Sequence, residues 1–132
     1  MSMRCRGIRG ATTVDENVPG AILEATTELL TELVQANDLA VEDIASAFFS
    51  TTTDLDAEFP AVAANGMGWT NIALLCGHEM QVPGSLPRCL RVMLHVNTEK
   101  SQHEIVHVYL RGAKVLRPDR NYHREETAEA SP

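Results

Sequence analysis

Cys89-Leu90-Arg91-Val92-Met93-Leu94-His95-Val96 is the stretch that decides the fold. Its residues alternate. In an extended chain Leu90, Val92, Leu94 and Val96 fall on one face, and Cys89, Arg91, Met93 and His95 fall on the other. The pattern predicts a strand with one face in a core and a guanidinium half desolvated on the opposite face. Such a charge is costly unless an anion meets it. Near the N-terminus, Arg6-Gly7-Ile8-Arg9-Gly10-Ala11-Thr12-Thr13 repeats the theme. Arg9 shares a strand face with Cys5, Gly7 and Ala11, whose small side chains leave open space beside it. Two arginines on partly apolar strands predict a pocket for a small anionic molecule.

The flanking segments supply the other elements. Residues 4–13 read as the first strand. An amphipathic helix follows, capped by Asn17 with Pro19 in its first turn and ending near Asn37-Asp38. Its apolar stripe is Ile22, Thr26, Leu29, Leu30, Leu33 and Val34, at helical spacing. A turn at residues 41–44 leads to a strand at 45–50, then a polar loop at 51–56. A short helix begins at residues 59–64, with Pro60 in its first turn, and Gly66 and Gly68 end it. Residues 71–76 read as a third strand. A loop carrying His78, Glu79, Pro83, Gly84 and Pro87 separates it from the Arg91 strand. A turn at 99–102 then leads to two short strands, 107–110 and 113–116. The order β-α-β-α-β-β-β predicts an α+β protein, a mixed β-sheet with helices on one face. Residues 1–118 read as a single domain and 119–132 as a mobile polar tail.

Composition narrows the functions. The chain has 132 residues, 44% of them hydrophobic, enough for one modest core. No run reaches the roughly 18–20 apolar residues of a membrane span, and the start lacks the apolar stretch of a signal peptide. The net charge of −7 argues against a nucleic-acid partner, because phosphate neutralisation needs a basic face. Cys5, Cys76 and Cys89 are odd in number and without CxxC spacing, which predicts reduced thiols in the cytoplasm. The positive charge is nine Arg against two Lys. Arginine's planar fork matches carboxylates, so an acidic protein can still hold a small dianion locally. Arg4, Arg111, Arg120 and Arg124 read as ordinary surface residues.

Three chemical signals stand out. His103-Glu104-Ile105-Val106-His107 has the literal form of a helical zinc motif. Its context is β-like, however, and four residues along a strand span about 13 Å, too far for one metal. Exposed histidines at a turn and strand start are the better reading. Glu79 lies just beyond the third strand, where sites are commonly built. Cys76, three residues earlier, reads as a structural thiol. Tyr109, between Val108 and Leu110, reads as a core tyrosine with one polar end. Arg117 ends the last strand before Pro118 and either reaches over a site or faces water.

Taken together, several blocks resemble the small monofunctional chorismate mutases of the trimeric α+β type. They are R-G-I-R-G-A-T-T-V at residues 6–14, T-x-D-L-x-A-x-F-P-A at 52–61 and G-W at 68–69, followed by P-G-S-L-P-R-C-L-R-V at 83–92 and H-V-Y-L with L-R-P-D at 107–119. The resemblance covers residues 6–118. It implies a pseudo-barrel homotrimer with an active site in each cleft between subunits. It implies conversion of chorismate to prephenate, on the route to phenylalanine and tyrosine, with no cofactor and no metal. Residue by residue, it implies that Arg91 faces the ether oxygen and that Arg9 and Tyr109 bind the side-chain carboxylate. Glu79, with Cys76, would meet the ring hydroxyl and the positive charge developing on the ring. Phe59, Ala61, Leu74 and Leu75 would line an apolar wall, with Leu116 and Arg117 near the mouth.

One segment departs from the family pattern: Asn65 stands where an arginine is common, and Val62 where a charge is frequent. Both belong to the rim by analogy. The departure keeps open an alternative, a trimeric small-anion binding or regulatory module with little catalysis. A trimeric enamine/imine deaminase fits the quoted blocks poorly, and a zinc peptidase rests on the His103–His107 motif alone.

Overall fold

The structure is a computed structural model that describes residues 2–116; Arg117 and the expected tail lie outside the described residues. Strand β1 (Arg4–Thr13) is followed by helix α1 (Pro19–Asn37), strand β2 (Ile44–Thr51) and helix α2 (Ala61–Gly66). Strands β3 (Ala73–His78), β4 (Cys89–Thr98) and β5 (Val108–Tyr109) complete a five-stranded sheet in the order β3-β2-β4-β1-β5. β4 is central and runs antiparallel to both neighbours, whereas β3 pairs parallel with β2 and β5 parallel with β1. The architecture is the mixed α+β sheet that the alternation of β4 predicts.

The two faces of the sheet differ as expected. Ile8, Ala47, Phe49, Leu90, Val92, Leu94 and Val96 point into a core closed by Ile22, Leu29, Leu30 and Leu33 of α1. Each of these side chains except Ala47 contributes roughly 1.5–3 kcal/mol by leaving water. α1 lies close on β1 because Gly10 has no side chain: a Cβ there would sit 2.8 Å from Leu33 Cδ1 and 3.1 Å from Leu29 Cδ1. Trp69 is fully buried and joins α2 to the same core. No helix among the described residues is long and apolar enough to cross a membrane.

Several local expectations are corrected. The residue capping α1 is Val18, with no side-chain bond. Asn17 instead accepts the amides of Asp56 and Ala57 at 3.0 Å and donates to Asp56 Oδ1 at 2.7 Å, so it clips the loop before α2. α1 ends in a left-handed Asp38, whose amide bonds back to the last turn. The expected strand at 113–116 is a 3-10 helix, Arg111–Leu116, and the strand before it is only Val108–Tyr109. β3 begins and ends two residues later than its apolar run suggests.

Candidate active site

Register brings the site together on the sheet face away from α1. Arg91 stands opposite Ala11 of β1 and Ser50 of β2, Arg9 stands opposite Met93, and Phe48 is also opposite Met93. Tyr109 pairs with Ala11 at the other end. Arg9, Arg91, Glu79, Tyr109 and Leu116 therefore line one cavity of about 340 Å³, floored by Phe48, Ser50 and Met93. The five come from five different elements or loops of the chain.

Arg91 meets its anion inside this chain. Glu79 Oε2 lies 3.2 Å from Arg91 Nε and accepts the Ser50 hydroxyl at 2.7 Å. The Glu79 amide donates to Thr51 O at 2.8 Å, which fixes where the loop leaves β3. The pair is not dry: the side chains are 45% and 31% exposed. Cys89 lies beneath, and burial pushes its thiol up against the opposing pull of Arg91.

Arg9 is fixed through its backbone, whose N–H donates to His107 Nδ1 at 3.0 Å. It also borders a second cavity, of about 530 Å³, lined as well by His103 and His107. The His103–His107 segment is not a helix. Gln102–Glu104 is a single 3-10 turn with a capping box from Ser101, and the chain then runs extended into β5. The two histidines are thus not presented by one helical face.

The apolar wall is elsewhere. Phe59 and Cys76 line a separate cavity of about 280 Å³ with Pro60 and His78. Ala61 and Leu74 pack against the core, and Leu75 projects from edge strand β3, 65% exposed. Burial raises the Cys76 thiol, opposed by a backbone bond from Ala61. Asn65 and Val62 are exposed on α2. Arg111, expected to face water, is half-buried and paired to Glu28 at 3.1 Å.

Ser50 is the polar site residue that sequence reasoning missed, and Phe48 beside it is an apolar one. A serine near the end of an apolar strand carries no signal of its own, and its partner Glu79 is 29 positions away. Only the β2–β4 register, which sets Ser50 opposite Arg91, identifies it.

Known proteins resemble the chain over most of its length. Residues 5–120 match the family model for chorismate mutase type I. The chain is 49% identical over 115 residues to the chorismate mutase AroH of Thermus thermophilus, covering 86% of this chain and 94% of the relative. It is 44% identical over 118 residues to the chorismate mutase AroH of Bacillus subtilis, covering 89% and 93%. A solved chorismate mutase from Clostridium thermocellum superposes with a TM-score of 0.82 at 55% identity, over 83% of this chain and 98% of that one.

Proposed function

The chain belongs to the chorismate mutase type I family, and from that premise we propose how its residues accelerate the isomerisation of chorismate to prephenate. The protein is a chorismate mutase, an isomerase of aromatic amino acid biosynthesis. The rearrangement is intramolecular: an ether C–O bond breaks as a C–C bond forms within one substrate molecule. No protein group has to add to the substrate. What remains for the protein is to hold a reactive conformation and to stabilise the charge that separates in the transition state.

Arg91 supplies positive charge to the ether oxygen, which gains negative charge as its bond to the ring breaks. Glu79 faces the ring, where positive charge develops, and hydrogen-bonds the ring hydroxyl. Arg9 and Tyr109 hold the side-chain carboxylate, and Leu116 borders the mouth. Ser50 holds the Glu79 carboxylate where Arg91 also meets it. The observation that carries this reading is the Arg91–Glu79 contact of 3.2 Å in the cavity that also contains Arg9 and Tyr109.

We further infer a homotrimer in the cytoplasm. Phe59 (68% exposed), Leu75 and Phe48 are apolar groups open to solvent in one chain. Phe59 and Cys76 sit apart from the Arg91 cavity. A neighbouring copy that laid its Phe59 and Leu75 against that cavity would cover the exposed apolar surface and complete the site. Three free cysteines fit a reducing compartment. The test is the loss of chorismate absorbance with purified protein, with and without EDTA. Equal rapid loss in both is expected; chorismate that persists at its uncatalysed rate would overturn the assignment.

A further inference from the structure

We propose that Arg111 is a positioning residue for the carboxylate-binding end of the cavity, acting through Tyr109 and Leu116 as a brace between α1 and the last described turn. The inference rests on the reading of Tyr109 as a substrate-carboxylate ligand. Tyr109 stands on a strand only two residues long, and Leu116 lies on the 3-10 helix that follows. Neither has the support that a long strand gives Arg91.

Arg111 sits between them with φ +51°, a left-handed conformation that a non-glycine residue adopts only when its surroundings hold it there. Here the holding groups are visible. Arg111 Nε donates to Glu28 Oε1 of α1 at 3.1 Å, and Arg111 Nη1 donates to Thr13 O at the end of β1 at 3.3 Å. The next amide, Gly112 N–H, donates to Thr13 Oγ1 at 3.1 Å. A Cβ at position 112 would come within 3.1 Å of Thr13 Cγ2 and Oγ1, so any larger residue would press on the side chain that holds the corner. One guanidinium thus ties the corner to a helix and a strand end. The corner turns the chain so that Ala113 packs on Ala11 and Tyr109, with Leu116 beside them. Arg111 does not line the cavity, so its influence runs through the wall it aims.

The variants that test this role are Arg111→Gly and Arg111→Asn. Both residues tolerate the positive φ, and Asn removes the guanidinium without the extra backbone freedom of glycine, so an effect shared by the two belongs to the lost brace. Two readouts are taken on the full chain: hydrogen exchange of the Gly112 and Ala113 amides, and the steady-state split between KM and kcat for chorismate. Faster exchange at both amides is expected, together with a KM raised roughly 3- to 10-fold and a kcat within about 2-fold of wild type. Arg111→Lys, which keeps the charge but cannot reach Glu28 and Thr13 through a planar fork, should fall between. Tyr109→Phe is run beside them. If it raises KM while Arg111→Gly leaves KM unchanged, the brace is overturned and the site reading stands. If neither variant changes KM, the Tyr109 reading fails and this inference falls with it. A lowered melting temperature with an unaltered KM would likewise overturn it, since a purely structural corner predicts that outcome.

Discussion

Arg91 is held by a contact too wet to be a stability device. A pair with side chains 45% and 31% exposed is worth at most about 1 kcal/mol. The sheet would therefore fold almost as well with another residue there, and the reason for arginine has to be sought in the cavity. Arg91→Lys is expected to lower kcat by about 10²–10³, because one ammonium cannot meet Glu79 and the ether oxygen as a planar fork does. The melting temperature of the same sample should move little. Near-normal turnover with a clear loss of melting temperature would instead make Arg91 a structural ion-pair residue. Much of this site was legible before any coordinates. Arginine between β-branched and aliphatic residues announces itself, and Glu79 and Tyr109 follow once family blocks are compared. Ser50 and Arg111 were not legible, because their meaning lies in partners 29 and 83 positions away.

At the scale of elements, alternation and helical spacing were strong signals wherever a segment was long. β1 and β4 and the buried stripe of α1 appear where the pattern puts them, because each has ten or more residues voting for one buried face. Short segments failed where tertiary bonds outweighed local preference. Asn17 has the chemistry of a helix cap but satisfies two amides of the loop before α2 instead. Residues 113–116 have strand-like composition, yet the left-handed Arg111 and the close Gly112–Thr13 approach turn them into a 3-10 helix. The contact between α1 and β1 provides an element-level test. Gly10→Ala would place a methyl against Leu33 and Leu29, both fully buried, and against Val92 at 3.3 Å. These packed side chains, or the helix that carries two of them, would have to shift, at a cost of roughly 1–3 kcal/mol. A lowered urea midpoint with an unchanged slope is the expected result, and an unchanged midpoint would mean that α1 is not seated on β1 through Gly10.

At the scale of the whole molecule, the chain carries the parts of a site without enclosing it. The charged cavity lies across β1, β2, β4 and β5, whereas Phe59 and Cys76 line a different cavity at the β3 edge. A single polypeptide that worked alone would leave the substrate open to water on its apolar side, where charge stabilisation is weakest. If each site combines the cavity of one subunit with the Phe59 wall of the next, two inactive variants should complement each other. Arg91→Ala removes the ether-oxygen ligand. Phe59→Asp sets a carboxylate against a dianionic substrate and should be nearly inactive for a different reason. In trimers assembled from equal amounts of both, a site is intact when its cavity comes from a Phe59→Asp chain and its wall from an Arg91→Ala chain. Random assembly gives that combination in about one quarter of the sites. Co-refolding the two variants should therefore restore about a quarter of wild-type activity, with sedimentation reporting a trimer. If every site were built within one chain, no combination would create an intact one, and the mixture would stay at the average of its two parents. That result, or an active monomer at micromolar concentration, would remove the shared site. Recovery of activity would show that the open face of the sheet, with its half-exposed Arg91–Glu79 pair, is where one subunit hands part of the chemistry to the next.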